Sequence, residues 1–378
     1  MKASRSLLSP DDQKVTFVEL FFDLVFVFSV TQVVKLLHDG FNGIAIAQAV
    51  LVFWLVWWAW SQFTWSLNAA DTTHPIVQFG VLAATGVAFF MAVAVPEAYG
   101  DRALWFAVTY VLVRAIGMIL FYMLVRETPT LRRPLRTWIG LSSVGILAVL
   151  IGGFAGGSAQ YWLWGLAIVL DLIAAGVSAR AAEWNIHPEH FAERHGLFVI
   201  IALGETLIIA GSGMTDLAWT GELLGVAVLV VAVTCGLWWS YFPRAMPALE
   251  HALASSQGSE RSTIARDSYT LIHFLMLAGV VAYAAAIEEV IAHAATAMSS
   301  TAAAALALGL TLFIGGMAAA LWRATGNLPR ERLVVVVAGA VAIVAAAGVG
   351  GFLALGIALI ATIAIGVLEH RKQIEHGS

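Results

Sequence analysis

Apolar runs of about twenty residues, each closed by a short polar segment, recur from one end of the chain to the other. They lie near 16–38, 44–66, 75–98, 104–125, 136–155, 160–182, 195–213, 222–242, 268–291, 301–323, 332–349 and 351–369. A helix needs about 20 apolar residues to cross the hydrocarbon core of a bilayer. The pattern therefore predicts an all-α, polytopic transmembrane bundle of about twelve helices. Only Gly348, Gly350 and Gly351 interrupt the last two runs, which read equally as two helices or as one long bent one.

Composition removes the soluble alternative. The chain is 60% hydrophobic and 12% charged, with a mean hydropathy of +0.87. Soluble domains are about half apolar and a quarter charged, so this chain lacks the material for a polar coat. A net charge of -4 offers no basic surface for nucleic acid. Charge placement then sets the orientation, because cytoplasmic loops collect Lys and Arg. With the N-terminus inside, Lys2, Arg5, Lys14, Arg126, Arg132, Arg133, Arg136, Arg180, Arg194, Arg244, Arg261, Arg266, Arg323, Arg330, Arg332, Arg371 and Lys372 all fall on the cytoplasmic side. Only Lys35, Arg102 and the mid-span Arg114 do not. Both ends are expected in the cytoplasm, with 1–14 and 371–378 as polar tails, and the first run is expected to be a retained helix rather than a cleaved signal. Trp105, Trp138, Trp162 and Trp184 fall near span ends, as interfacial tryptophans do. Cys235, the single cysteine, is expected as a small buried hydrophobe.

The two halves resemble each other. Glu19 opens the first span and Glu193 the seventh. Gln32 and Glu205 follow at the far side of each apolar run. Trp57-Trp58 and Trp238-Trp239 mark the next span, and Glu97 and Glu288-Glu289 the end of the third. This predicts a six-plus-six repeat, 15–185 and 186–370, whose halves are related by an axis along the membrane normal. The segment 244–266, rich in Ser and charge, is expected as a long connecting loop within the second half.

Ionisable groups at membrane depth cost a few kcal/mol each, about 2.5–3.5 for Asp, Lys or Arg at mid-helix on insertion scales, and they usually face a partner or a pathway. Glu19 and Asp23 share a helix face at a spacing of four, with Thr16 placed to form a capping box with Glu19. Glu205 follows Gly204 in an apolar stretch, Asp171 and Arg114 lie mid-span, and His273 can titrate near neutral pH. Arg114 is expected to neutralise Asp171, Asp23 or Glu205. Glu193 and His195 open the seventh span, where Arg194 is expected in solvent at the inner interface. The pathway set is thus Glu19, Asp23, Gln32, Arg114, Asp171, Glu193, His195, Glu205 and His273. Trp54, Trp58 and Trp65 fall near one face of the second span, as an aromatic helix interface or cavity wall. No Walker A loop, H-E-x-x-H pair or G-x-S-x-G elbow occurs. No catalytic residue, metal or cofactor is expected, and the balance leans away from an enzyme.

The segment Val15-Thr-Phe-Val-Glu-Leu-Phe-Phe-Asp-Leu-Val-Phe-Val-Phe-Ser-Val-Thr-Gln32 resembles the opening signature of the bacterial low temperature requirement protein A family. So do Trp57-Trp58-Ala-Trp60 with Asn68 and Asp71, Glu193-Arg-His-Gly-Leu-Phe-Val-Ile-Ile-Ala-Leu-Gly-Glu205, Trp238-Trp239-Ser-Tyr241-Phe242, and the Tyr269/His273 segment. The resemblance runs from about 14 to 290 and implies a multipass bacterial inner-membrane protein. The family name records a cold-growth phenotype and gives no molecular activity. Phe21-Phe22-Asp23-Leu24-Val25-Phe26 is also similar to the F-S-x-D motif of the lysosomal potassium and proton channel family. Phe22 here replaces its Ser, and the seventh span lacks the motif.

The leading expectation is movement of a small ion or solute across the membrane by buried carboxylates, with proton coupling left open. A membrane-embedded enzyme on a lipid-soluble substrate and a non-transporting structural or stress-related protein compete with it. The expected partners are the lipid bilayer and a small ion or solute, without nucleic acid; a homo-oligomer is left open.

Overall fold

The computed structural model describes residues 7–8, 14–37, 42–126, 128–181 and 184–377, with side chains throughout except at 180–181 and 371–377. The expected N-terminal tail, apart from Leu7, Leu8 and Lys14, therefore lies outside the described residues, as do the side chains of Arg180, Arg371 and Lys372. Among the described residues the chain is all helical, apart from a single antiparallel bridge between Leu8 and Ala70.

Twelve helical runs follow one another: α1 (Phe17–Leu37), α2 (Gly43–Asn68), α3 (Pro75–Glu97), α4 (Ala103–Val125), α5 (Pro129–Ala155), α6 (Gly157–Ala181), α7 (Pro188–Met214), α8 (Gly221–Ser255), α9 (Gly258–Ala292), α10 (Ser300–Thr325), α11 (Arg330–Ala345) and α12 (Gly351–Gly377). Their starts follow the local chemistry. Asn42 accepts from the N–H groups of Ile44 and Ala45, Thr220 from Leu223 and Ser299 from Ala302, while Pro75, Pro129 and Pro188 occupy first-turn positions. A side-chain acceptor or a proline satisfies or removes donors that a first turn leaves unpaired.

Eleven of the twelve are long and apolar enough to cross a membrane. The exception is α11, which is shorter than the run 332–349 expected for it. Its 16 residues reach roughly 24 Å at the α-helical rise, short of a 30 Å core. The final two runs are separate helices, parted where Gly348 adopts φ 85°, a conformation open to a residue without Cβ. The expected loop 244–266 is also corrected. Helix α8 continues to Ser255, α9 begins at Gly258, and only Ser256 and Gln257 connect them. The polar residues there lie within helix and do not mark where it ends. Each of these two helices carries a π-helical stretch, Tyr241–Ala245 in α8 and Ala265–Leu271 in α9.

The chain separates into two compact units, one of Met1–Leu36, Asn42–Phe198 and Leu253–Arg266, the other of Leu37–Phe41, Val199–Ala252 and Asp267–Ser378. In the first, α1, α3 and α4 pack in series, and α5 pairs with α6. In the second, α9 and α10 form the tightest pair. Gly279 and Gly309 face each other there so closely that a Cβ on Gly279 would lie 2.7 Å from the Gly309 carbonyl oxygen. Small residues of this kind let helix backbones approach where water supplies no driving force.

Exposure separates lipid-facing from packed side chains. Trp105 and Trp162 are exposed at their helix starts, as expected of interfacial tryptophans, but Trp138 and Trp184 are buried around Phe121. Cys235 is exposed rather than buried. On an apolar helix a thiol is small and soft enough to face lipid.

Candidate functional site

The first unit holds a buried cluster of charge built from α1, α2 and α7. Helix α1 starts after Thr16, and the Thr16 backbone N–H and hydroxyl both donate to Glu19 Oε2, at 3.0 and 2.9 Å. This is the reach-back arm of a capping box. One turn further, Asp23 points the same way. Phe17, Phe21 and Leu24 are exposed on the opposite face, whereas Glu19 and Asp23 are fully buried.

Helix α7 supplies the counter-charge. Pro188 sets its start, so His190 and Arg194 fall four apart on one face, deep enough that Arg194 is fully buried. Its guanidinium bridges both acids: Nη1 to Glu19 Oε1 at 2.7 Å, Nη2 to Asp23 Oδ1 at 2.6 Å and Nε to Asp23 Oδ2 at 3.2 Å. The Asp23 contact is the two-pronged fork that suits guanidinium and carboxylate. Placing Arg194 in solvent at the interface is thus overturned. The apolar run begins at 195, whereas the first helical turn begins seven residues earlier, at Pro188.

Helix α2 completes the site. Trp60 Nε1 donates to Asp23 Oδ1 at 2.7 Å, and its ring lies 5.9 Å from the Arg194 guanidinium carbon, an added cation–π contact. Trp57 stacks on Trp60, and the His195 ring meets the Trp60 ring edge-on at 5.0 Å. Asn68, at the end of α2, fixes the state of His190. The backbone of His187 donates to Asn68 Oδ1 at 2.7 Å and accepts from its Nδ2 at 3.2 Å. Nδ2 thereby also faces His190 Nδ1, at 3.0 Å, so that ring nitrogen accepts. The ring proton is left on Nε2, which lies 3.1 Å from Glu19 Oε1. A neutral His190 satisfies both neighbours. The charge balance is then two carboxylates against one guanidinium.

A second buried pair is balanced one to one. Arg114 on α4 meets Asp171 on α6 at 3.4 Å, and its Nη1 donates to the Tyr110 hydroxyl at 2.6 Å. Of the three partners considered for Arg114, Asp171 is the one it takes. Trp54 and Trp58 stack at 5.4 Å beside this pair. Trp65 is half-buried, edge-on to Phe191 at 5.4 Å.

The remaining expected residues are dispersed. Gln32 is buried farther along α1, and Glu193 is half-buried and accepts from the Val15 N–H at 3.3 Å. In the second unit, Glu205 is half-buried on α7. His273 is buried on α9 between the Tyr241 hydroxyl at 2.9 Å and the Ser268 carbonyl at 2.8 Å. It has the character of a core histidine held by its neighbours. Among the described residues no group of three or more His, Cys, Asp or Glu is arranged to hold a metal ion.

Sequence reasoning missed Arg194, His190, Trp60 and Asn68 as members of the cluster. Pro188 was the available signal, because a proline favours the first helical position and here moves the helix start upstream.

No solved structure matches this chain. An uncharacterized protein of Rhizobium meliloti (strain 1021) is 32% identical over 298 residues, covering 75% of this chain and 71% of the relative. The family of the bacterial low temperature requirement A protein (LtrA) matches residues 14–368. Glu19, Asp23 and Arg194 lie within the matched range. The chain is a multipass helical membrane protein and belongs to the LtrA family.

Proposed function

We propose that this protein moves a small ion or solute across the bacterial inner membrane, with Glu19, Asp23 and Arg194 as the charge-exchanging centre and a proton as the coupling or transported species. The observation that carries this reading is the imbalance at the cluster: two fully buried carboxylates are held on a single guanidinium. An uncompensated charge in a dry interior is expensive, and a proton is the smallest group that balances it. A site that is complete with a proton bound and strained without one is a natural relay. Gln32, Arg114, Asp171, Glu193 and His195 extend the proposed pathway within the first unit, beside the aromatic side chains Trp54, Trp58 and Trp65, while Glu205 and His273 are proposed as charge-handling groups of the second unit by itself. Both chain ends face the cytoplasm in this proposal, α11 crosses as a short twelfth span, and the two six-helix halves derive from duplication.

The test is flux. Purified protein is reconstituted in vesicles, a potassium diffusion potential is imposed with valinomycin, and luminal pH is followed with a trapped dye. Wild-type vesicles should acidify faster than empty ones, while Asp23→Asn and Glu205→Gln, reconstituted in equal amount, should fall to the empty-vesicle rate. Unchanged flux in both variants would remove these carboxylates as carriers. A scaffold without transport is favoured by one different observation, the closed one-to-one pairing of Arg114 with Asp171.

A further inference from the structure

The second unit carries the reverse imbalance, two guanidiniums on one carboxylate. Arg332, at the start of α11, is 1% exposed, and its Nε and Nη2 both engage Glu369 of α12, the latter at 3.1 Å. Its Nη2 also donates to the Ser240 carbonyl at 3.0 Å. Arg244 of α8 joins the same carboxylate, its Nη1 lying 2.9 Å from Glu369 Oε2 and 3.0 Å from the Gly366 carbonyl. Neither Nε nor Nη2 of Arg244 donates to any described residue. Glu369 cannot neutralise both cations, so a positive charge is left over.

That charge opens on a groove of about 590 Å³ between α8 and α12, lined among others by Trp239, Arg244, Ile363, Gly366, Val367 and His370. Trp239, Ile363 and Val367 are 56%, 55% and 48% exposed, so the groove faces outward where lipid lies. Arg244 comes 23 residues after the start of α8 and Glu369 18 after the start of α12, roughly 35 and 27 Å along their helices. A hydrocarbon core is about 30 Å thick. The guanidiniums thus sit at headgroup depth, and the apolar wall runs from there toward the bilayer centre. Trp239 is placed as an interfacial aromatic.

We infer that this groove binds one anionic phospholipid, its phosphate on Arg244 and an acyl chain along Ile363, Gly366 and Val367. Charge complementarity and depth select the occupant, since a zwitterionic headgroup leaves the surplus charge unmet and a free anion leaves the apolar wall bare. Basic pockets between transmembrane helices at the membrane boundary recognise acidic headgroups in this way.

The experiment uses the full chain in nanodiscs of equimolar phosphatidylglycerol and phosphatidylcholine, extracted and weighed by native mass spectrometry. Wild type should keep one phosphatidylglycerol in preference to phosphatidylcholine. Arg244→Gln should lower that preference about fivefold. Gly366→Leu should abolish it by filling the groove, because a Cβ there meets only Trp239 Cδ1 at 4.0 Å and the charges stay in place. Should Arg244→Gln misfold by circular dichroism, Gly366→Leu decides alone. Equal retention of the two lipids by wild type would overturn the inference, as would undiminished preference in Gly366→Leu. Displacement of the lipid by millimolar inorganic phosphate would instead mark a free-anion site and overturn it too.

Discussion

Replacing Arg194 by Met keeps a long side chain in place but deletes the guanidinium that holds Glu19 and Asp23. The two acids do not suffer equally. Glu19 retains the Thr16 backbone N–H, the Thr16 hydroxyl and His190, whereas Asp23 retains only Trp60 Nε1. Asp23 is therefore the stranded group. Removing one partner of a buried ion pair costs about 3–5 kcal/mol. Protonating the remaining carboxyl caps the loss, and for an ordinary Asp at pH 7 that costs about 4 kcal/mol. We expect Arg194→Met to lose about 4 kcal/mol at pH 7. In this variant the folded state prefers protonated Asp23, so stability should recover as pH falls, by about 1.4 kcal/mol for each unit down to about pH 4. Adding Asp23→Asn should restore Asp23's share of the loss at pH 7 and weaken the pH dependence, leaving Glu19 as the one carboxylate that has lost its guanidinium. Reversible unfolding in bicelles across pH 4.5–7.5 measures all three. Equal destabilisation of Arg194→Met and of the double variant, with no pH trend in either, would refute the assignment of Asp23 as the dependent charge.

The balanced pair should behave differently. Arg114→Met alone should lose about 3–5 kcal/mol, and Arg114→Met with Asp171→Leu should regain most of it, since apolar side chains can replace a complete buried pair; the same unfolding measurement reads both. Gly279→Ala would drive a Cβ to 2.7 Å from both the Gly309 carbonyl oxygen and the Phe313 nitrogen, backbone that cannot turn aside. It should lower thermal stability by about 1–3 kcal/mol, while Gly315→Ala, with nothing within 4 Å, should not.

Much of this was legible in the sequence because the bilayer imposes a coarse rule. Twenty apolar residues in a row have few other uses, so the spans could be read from hydropathy, and the Thr16–Glu19 cap from spacing. What failed to read shares one cause, that hydropathy does not distinguish a polar residue outside the membrane from one turned inward. Arg194 looks like an interfacial charge in the sequence, but about two further turns of helix from Pro188 carry it into the core. The stretch after Arg244 looks like a loop because its residues are polar, yet it is helical. Trp138 and Trp184 sat at the right depth for a boundary belt but on the wrong face. Trp57-Trp58 and Trp238-Trp239 look alike in sequence, but the first pair is buried and the second exposed. The partner of a buried charge, whether Asp171 for Arg114 or Glu369 for Arg332, depends on which helices meet and is not written in either residue's own neighbourhood.

Helices α8 and α9 each run 35 residues, roughly 50 Å at the helical rise, and are joined through Ser256 and Gln257 alone. Each is therefore some 20 Å longer than a 30 Å core is thick. That gives a protein of 40.3 kDa, otherwise sunk in detergent or lipid, a stiff handle. A helical fusion partner spliced at Ser256–Gln257 would extend both rods without a flexible joint and would serve as an alignment marker for electron microscopy.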